Sequence, residues 1–315
     1  MINNIKAVSN TEVLPRISNF EITNICNMNC PICVEKSKIQ GCLSIELLHN
    51  ILSNNPEYFY GRPLWLHLRG EPYINKDLYD IIDIFDKFNV PTMLSTNGIL
   101  LNDDNIYKTI TSKLEIIVIS SLTLDRDKYY ALRGKDCLVK VQRNIDNMVN
   151  TVRKYKSNLK VTIVGLDYGQ ERKEINDFIR FYHLKGLEVA IHKYTDRTGM
   201  SQFNPTQTLN NITKRRKSCH LLFNKLIIQY DGSVTTCCYD LTGQNTMGFL
   251  QDYGYSIKEL WNGENYMNIR KDQCEGIFQN ACKNCKDWVY GNPKYSRSFY
   301  SNVKIYPLND KPYYV

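Results

Sequence analysis

The sequence Cys26-Asn-Met-Asn-Cys30-Pro-Ile-Cys33 follows a short apolar stretch, Phe20-Glu-Ile-Thr-Asn-Ile25. Its spacing, C-x3-C-x2-C, brings three thiolates close together, and each can ligate one iron of an iron–sulfur cube. A [4Fe–4S] cube has four irons, so three cysteines leave one iron open to a ligand that is not protein. The triad therefore predicts an iron–sulfur cluster with an open position. A structural zinc site, or three unrelated thiols, is the alternative.

The composition of the 315-residue chain is that of a globular protein, with 43% hydrophobic and 23% charged residues. The first residues lack the apolar core of a signal peptide, and no apolar run is long enough to cross a bilayer. We therefore expect a soluble, cytoplasmic protein with no membrane partner. Eleven cysteines in such a chain favour metal or redox chemistry over disulfide bonds, and the odd count excludes complete pairing.

The formal charge of +8 is compatible with an anionic partner, such as an acidic electron carrier or a phosphorylated substrate. A mildly basic, solvated surface explains the same charge and is the preferred interpretation. The basic run Lys214-Arg-Arg-Lys217 is too short to indicate RNA binding. Nucleic acid is therefore not an expected partner.

Short apolar strands alternate with amphipathic helices over the first two thirds of the chain. The candidate strands are residues 19–23, 64–68, 92–96, 114–120, 160–165 and 187–192. The candidate helices are residues 44–53, 76–88, 102–111, 139–155 and 171–182. Ser44 is a plausible N-cap of the first helix. Because each parallel pair of strands needs a crossover, this alternation predicts an α/β fold with a curved parallel sheet wrapped by helices.

The pattern changes after Lys193. A linker-like segment over residues 195–211 is rich in polar residues, Gly and Pro. Beyond it, residues 225–230 and 233–237 flank Asp231-Gly232, which is typical of a β-hairpin, and short helices are predicted over residues 256–261 and 264–271. The chain therefore divides into a first domain, residues 1–197, and a smaller second domain, residues 198–315.

The cysteine triad resembles the cluster loop of radical S-adenosylmethionine (SAM) enzymes. The resemblance implies a partial (β/α)6 barrel of TIM type and a [4Fe–4S] cluster held by Cys26, Cys30 and Cys33, whose open iron is chelated by SAM. In that family the cluster reduces SAM, and the resulting 5′-deoxyadenosyl radical abstracts a substrate hydrogen atom. One departure is Ile32, since the family usually has an aromatic residue just before the last cysteine.

Motifs at the ends of the next strands agree with this resemblance. Gly70-Glu71-Pro72 resembles the segment that holds the SAM amino group, and Ser95-Thr96-Asn97-Gly98 resembles the Thr-Asn-Gly strand end that lines the SAM site. Ser120 stands where the family often contacts the SAM ribose through a hydroxyl. Arg133 resembles an arginine near the SAM carboxylate, although two residues separate it from Tyr130. In isolation the first two motifs are common turns, and the arginine could equally be solvated.

A second set of cysteines lies in the second domain, and its order resembles the auxiliary-cluster domain called SPASM or its shorter relative, twitch. The resemblance implies one auxiliary [4Fe–4S] cluster on four ligands, namely Cys219, Cys237, Cys282 and Cys285. No cysteine follows Cys285, so a second auxiliary cluster is not expected. Zinc is the alternative occupant, and Cys274 is an alternative ligand. The spacing is similar to that of the single-auxiliary-cluster aminocyclitol dehydrogenase group.

That similarity implies dehydrogenation or epimerisation of a sugar or aminocyclitol, with a flavodoxin- or ferredoxin-type electron donor. The alternative is epimerisation or crosslinking of a ribosomally synthesised peptide, although the 25 residues before Cys26 are too few for a peptide-binding domain. A non-enzymatic zinc or iron–sulfur binding module is the alternative of another class.

Cys238 adjoins a proposed ligand and is the predicted catalytic residue. Side chains alternate along a strand, so the hairpin predicts that Cys238 points away from Cys237. A thiol in the substrate cavity could return a hydrogen atom to a substrate radical, which gives epimerisation. Dehydrogenation needs no such donor. A side chain packed in the small domain, with no chemistry, is the other interpretation of Cys238.

Overall fold

Six strands run parallel and neighbour one another in chain order. They are β1 Arg16–Phe20, β2 Leu64–Trp65, β3 Thr92–Thr96, β4 Ile116–Leu122, β5 Lys160–Asp167 and β6 Glu188–Lys193. The computed structural model describes residues 14–34, 39–59, 63–195, 203, 216–285, 288, 303–308 and 313–314. Each strand pairs in parallel with the next from β1 to β6. The predicted parallel sheet of a partial barrel is confirmed.

Helices follow the strands as crossover connections. They are α1 Ile45–Asn54, α2 Leu78–Lys87, α3 Asp103–Thr111, α4 Arg126–Arg133, α5 Leu138–Tyr155 and α6 Arg172–His183. The predicted N-cap is confirmed, because the Ser44 hydroxyl accepts a hydrogen bond from the Leu47 amide at 3.2 Å. Helix α4 was not predicted. It begins after Asp125, whose side chain accepts from the Lys128 amide at 2.9 Å, and it ends at Gly134 with a φ of 68°.

The strands of the barrel bury side chains on both faces, as expected for a parallel sheet covered by helices. On β4, Ile117 and Ile119 pack in the large cluster between sheet and helices. The alternate residue Val118 packs in a smaller cluster with Leu132 of α4 and Val164 of β5. The half-buried side chains around this smaller cluster are mainly large, and they include Trp65, Met93, Tyr168 and Phe203.

The C-terminal region continues the same sheet. It contains β7 Lys225–Ile228, β8 Ser233–Thr235, β9 Thr246–Phe249, β10 Val303–Tyr306 and β11 Tyr313–Tyr314. Strand β7 pairs in parallel with β1, and β10 pairs antiparallel with β6. The strand order is β11-β10-β6-β5-β4-β3-β2-β1-β7-β8-β9. Barrel and C-terminal region are therefore joined by backbone hydrogen bonds at both edges of the parallel strands.

The predicted hairpin is confirmed, since β7 and β8 pair antiparallel and Gly232 between them has a φ of 83°. The two short helices after it are α7 Ile257–Trp261 and α8 Glu264–Cys274. Single 3-10 turns complete the described elements, at Pro56–Tyr58, Pro72–Ile74, His220–Phe223, Leu250–Tyr253 and Asn280–Cys282. The predicted boundary between residues 197 and 198, and most of the predicted linker, lie outside the described residues.

Within the described ranges, none of the helices has the length and apolar character that crossing a membrane requires.

Candidate functional site

The cysteine triad lies on the loop after β1, at the carboxyl-terminal rim of the parallel strands, where barrels of this type carry their chemistry. A turn brings the last two cysteines together, because the Cys33 amide donates to the Cys30 carbonyl at 2.9 Å. All three side chains are half-buried. Burial raises the pKa of the Cys26 thiol, and the nearby thiols of Cys30 and Cys33 raise it further. The loop therefore gathers three sulfur ligands at one partly open place.

The donor set fits the cluster that the resemblance implies. A ligand set of three cysteine sulfurs, with no histidine or carboxylate among the candidate ligands, is suited to iron–sulfur binding. In the described part of the chain, no three His, Cys, Asp or Glu side chains form a site for a metal ion. This finding concerns sites for one ion. The ligands of a cube bind different irons, so they need not converge on one point.

Arg133, the last residue of α4, is buried beside the triad and only 8% exposed. One terminal nitrogen, Nη1, lies 3.6 Å from the Cys30 sulfur, and Nη2 donates to the Ser120 carbonyl at 2.5 Å. Burial lowers the pKa of Arg133, but the Cys30 thiolate and the Tyr129 hydroxyl outweigh burial, and the net pKa is raised. The guanidinium is therefore a fixed positive charge at the triad, and the solvated alternative is wrong. Its contact with a SAM carboxylate stays a prediction.

Glu71 joins the ends of three structural segments. Its carboxylate, 2% exposed, accepts from the Thr96 hydroxyl at 2.7 Å and from the Asn97 amide at 2.8 Å. Its own amide donates to the Ile25 carbonyl at 2.8 Å, directly before the triad. Burial raises the pKa of Glu71, and the bonds from Asn97 and Thr96 oppose that rise. Gly70 is required here, because a Cβ at this position would lie 2.1 Å from the Thr23 carbonyl oxygen.

The other predicted SAM contacts lie along the same rim. Pro72 opens the 3-10 turn after Glu71. The Asn97 side-chain amide donates to Asn27 in the cluster loop at 2.7 Å. The hydroxyls of Ser95 and Ser120, at the ends of β3 and β4, are 3.4 Å apart. The structure therefore brings the predicted SAM-binding residues and the triad together at one end of the barrel. Their individual roles stay predictions.

The auxiliary cysteines are surrounded by buried amides. Gln273 of α8 donates through Nε2 to the Cys282 sulfur at 3.3 Å and accepts from the Cys219 amide at 2.9 Å. The Asn245 side chain donates to the same Cys282 sulfur at 3.4 Å. Burial raises the pKa of the Cys219 thiol to about 11. Sequence reasoning missed both amide side chains, because an isolated Asn or Gln carries no motif.

Cys237 and Cys238 require a correction. Strand β8 ends at Thr235, and Cys237 begins a turn in which the Asp240 amide donates to the Cys237 carbonyl at 3.1 Å. Alternation along a strand therefore does not extend to these residues. A hydrogen bond between the Cys237 thiol and the Cys238 side chain raises the pKa of Cys237, and burial raises it further. The prediction that Cys238 points away from Cys237 is wrong, and its catalytic role stays a prediction.

The remaining auxiliary residues are placed as follows. The Cys285 amide donates to the Cys282 carbonyl at 3.3 Å, so these two ligands share one turn. Cys274, the alternative ligand, is exposed at the end of α8.

Comparison with known proteins agrees with this geometry. Residues 219–286 match the family model of SPASM, an iron–sulfur cluster-binding domain. Over 170 residues the chain is 28% identical to 7,8-dihydro-6-hydroxymethylpterin dimethyltransferase of Methanocaldococcus jannaschii. The aligned region covers 52% of this chain and 33% of that protein. The chain spans about half or less of the curated relatives it matches.

Solved structures that share the fold over most of the chain include those of BtrN and SuiB. BtrN in complex with AdoMet and 2-DOIA is 17% identical with a TM-score of 0.58, over 88% of this chain and 94% of BtrN. SuiB of Streptococcus suis, bound to the precursor peptide SuiA, is 15% identical with a TM-score of 0.66. That match covers 85% of this chain and 69% of SuiB. At these identities the likeness concerns the fold.

Proposed function

We propose that this chain, which has the radical SAM barrel fold and carries a SPASM domain, reductively cleaves SAM and removes a hydrogen atom from a substrate. One observation carries the proposal. The three triad thiols, the buried cation of Arg133 and the hydrogen-bonded carboxylate of Glu71 meet at one rim of the barrel. These groups supply sulfur for a cluster, a positive charge for a carboxylate and a negative charge for an ammonium group.

Each residue of the first site would have its own role. Cys26, Cys30 and Cys33 would hold the [4Fe–4S] cluster. When bound, the cluster and SAM would supply the electron and the carbon radical that this chemistry needs. Glu71 would accept a hydrogen bond from the methionyl ammonium group, and Arg133 would face its carboxylate. The barrel residues keep these groups in place because they are themselves buried and hydrogen-bonded.

The second site would hold one auxiliary [4Fe–4S] cluster on Cys219, Cys237, Cys282 and Cys285. The matched SPASM domain supports an iron–sulfur cluster here. Of the four ligands, Cys282 and Cys285 share one turn, and Cys219 and Cys237 stand in two other segments. A flavodoxin- or ferredoxin-type protein would supply electrons from outside. The formal charge of +8 is compatible with an acidic carrier of this kind.

The substrate that we propose is a sugar or an aminocyclitol, which would be dehydrogenated or epimerised. The match to the BtrN structure supports this class, because it covers 94% of that chain. A ribosomally synthesised peptide is the second candidate, and the SuiB structure with its precursor peptide supports it through the higher TM-score of 0.66. Cys238 separates the two reactions of the first candidate, since an epimerase needs a hydrogen-atom donor and a dehydrogenase does not.

The experiment is anaerobic reconstitution of the full chain, followed by incubation with SAM, a reductant and extracts of its own cells. We expect a brown protein with about eight irons, which corresponds to two cubes. We also expect 5′-deoxyadenosine whose amount depends on the extract. A colourless protein that contains zinc would contradict the proposal and support a structural metal site.

The substrate found in this way then tests Cys238. With Cys238→Ala, an epimerase should continue to abstract hydrogen while the inverted product disappears. Cys42→Ala is the control for the loss of a thiol, because Cys42 is exposed and belongs to neither predicted ligand set. Full retention of the native product by Cys238→Ala would eliminate the donor role and favour dehydrogenation.

A further inference from the structure

Arg69 directly precedes Gly70 and Glu71, and its guanidinium forms a two-point contact with a buried carboxylate. Nε donates to Oε1 of Glu21 at 3.0 Å, and Nη2 donates to Oε2 at 2.8 Å. Glu21 follows β1 and its side chain is fully buried. Parallel bonds of this kind fix the plane and position of the guanidinium.

The same guanidinium also contacts the C-terminal region. Nη2 donates to the Gln229 side chain at 2.7 Å, and Nη1 donates to the Leu241 carbonyl at 3.1 Å. Gln229 follows β7 and is buried. One side chain of the barrel is thus held by β1, by the hairpin and by the turn after β8.

Leu241 belongs to the turn that begins at an auxiliary ligand. The Asp240 amide donates to the Cys237 carbonyl at 3.1 Å, and the Asp240 carboxylate accepts from the Asn245 amide at 2.7 Å. The Asn245 side chain in turn reaches the Cys282 sulfur at 3.4 Å. A continuous series of buried polar contacts therefore connects two auxiliary cysteines with the guanidinium.

On its other side the guanidinium is tied to the first site by tightly packed backbone. The Arg69 amide donates to Glu21 at 3.0 Å, and the Glu71 amide donates to the Ile25 carbonyl at 2.8 Å. Between them, Gly70 lies against Thr23 with no space for a Cβ. These contacts hold the backbone of Arg69, Gly70 and Glu71 against the segment that leads to the triad.

We propose that Arg69 is a positioning residue that couples the auxiliary cysteine site to the segment carrying Glu71. Loss of the auxiliary cluster would loosen the turn at Leu241, release one contact of the guanidinium and weaken the order of residues 66–74. The identities of the two sites rest on the proposed function. The coupling itself rests on the contacts described.

Arg69→Lys is the informative substitution. Lysine keeps a positive charge beside Glu21, so it avoids leaving a buried carboxylate unpaired, which is strongly destabilising. It lacks the planar fork, so it cannot hold Glu21 and also reach both Gln229 and Leu241. The variant should therefore fold while the connection to the C-terminal region is lost.

The test is a double-mutant cycle on the full, anaerobically reconstituted chain. It compares the wild type, Arg69→Lys, the pair Cys282→Ala with Cys285→Ala, and all three changes together. Amide hydrogen exchange over residues 66–74 is the first readout, and the dissociation constant for SAM is the second. With Arg69 present, we expect loss of the auxiliary cysteines to speed exchange and weaken SAM binding by about fivefold or more. In the Arg69→Lys background the same loss should change both by less than about twofold.

Arg126→Lys is the matched control, because it removes the fork of an exposed contact with Asp136 that is not part of this network. It should leave both readouts unchanged. Additive effects in the cycle, or unchanged exchange over residues 66–74 after loss of the auxiliary cysteines, would overturn the inference. If the exchange rates show coupling but the wild type does not bind SAM, the coupling is supported and the proposed function is contradicted. Failure of the inference and failure of the proposed function are therefore distinguishable.

Discussion

The two cysteine sites differ in how they are built. The first comes from one short loop, and the charged group beside it is the guanidinium of Arg133 at the Cys30 sulfur. The second is assembled from segments between Cys219 and Cys285, and two neutral amides, Asn245 and Gln273, donate to its Cys282 sulfur. A local site can lose its ligands without losing the fold. A site assembled from distant segments also holds those segments together.

The largest difference should appear when each set of ligands is removed. Cys282→Ala with Cys285→Ala should loosen the C-terminal region, because metal binding at such a site is coupled to folding. The barrel should stay folded, since its core does not depend on these residues. Limited proteolysis should show new cleavage after Thr195.

The matched triple variant Cys26→Ala, Cys30→Ala and Cys33→Ala should show no new cleavage in that region. Equal protease resistance of the wild type and the auxiliary variant would remove the distinction between the two sites.

The next effect concerns the first site. Glu71→Ala would remove the proposed charge-assisted hydrogen bond to SAM. Such a bond is worth about 1.5–3 kcal/mol, so SAM affinity should fall about ten- to a hundredfold. The structure adds that Glu71 also holds Thr96 and Asn97. Thr96→Val is therefore the control, because it breaks that support and leaves the carboxylate. Calorimetry under anaerobic conditions measures the SAM affinity of both variants. Unchanged SAM affinity in Glu71→Ala would make Gly70-Glu71-Pro72 a turn only.

The smallest effect concerns the second site. Gln273→Leu removes an N–H···S bond to Cys282, and such bonds stabilise the reduced form of a cluster. A hydrogen bond worth about 0.5–1.5 kcal/mol corresponds to about 20–65 mV for one electron. The auxiliary potential should fall by this amount, and the potential of the first cluster should not change. Redox titration monitored by electron paramagnetic resonance distinguishes the potentials of the two clusters. An unchanged auxiliary potential would show that the bond from Gln273 to the Cys282 sulfur does not affect the potential of the cluster.

The sequence was sufficient to predict the barrel and the motifs at its rim, because the signals for strands, helices and turns lie within short stretches of the chain. Apolar period and N-caps predicted the crossovers, and strand β3 was predicted with its observed bounds. Helix α4 was missed because it is short and polar, with Tyr129, Leu132 and Arg133 as its buried face. Strand β2 is shorter than predicted, with Leu64 and Trp65 alone in the ladder.

Contacts between distant segments were beyond sequence reasoning. Glu21 and Arg69 stand far apart in the chain, and neither belongs to a motif of the first site. Their pairing follows from the sheet, which places the ends of β1 and β2 side by side. The orientation of Cys238 was predicted wrongly for a similar reason, because a turn replaces the strand after Thr235. Local patterns were therefore enough to name candidate ligands, whose roles stay predictions. The residues that surround those candidates could be identified only from the fold.

The most direct test of the account is reductive SAM cleavage by the wild type and by the triple variant Cys26→Ala, Cys30→Ala and Cys33→Ala. Both proteins are reconstituted anaerobically, reduced and incubated with SAM, and 5′-deoxyadenosine is quantified. We expect 5′-deoxyadenosine from the wild type and none from the triple variant, which should still contain the auxiliary iron. Persistent 5′-deoxyadenosine formation by the triple variant would contradict the assignment of the first site.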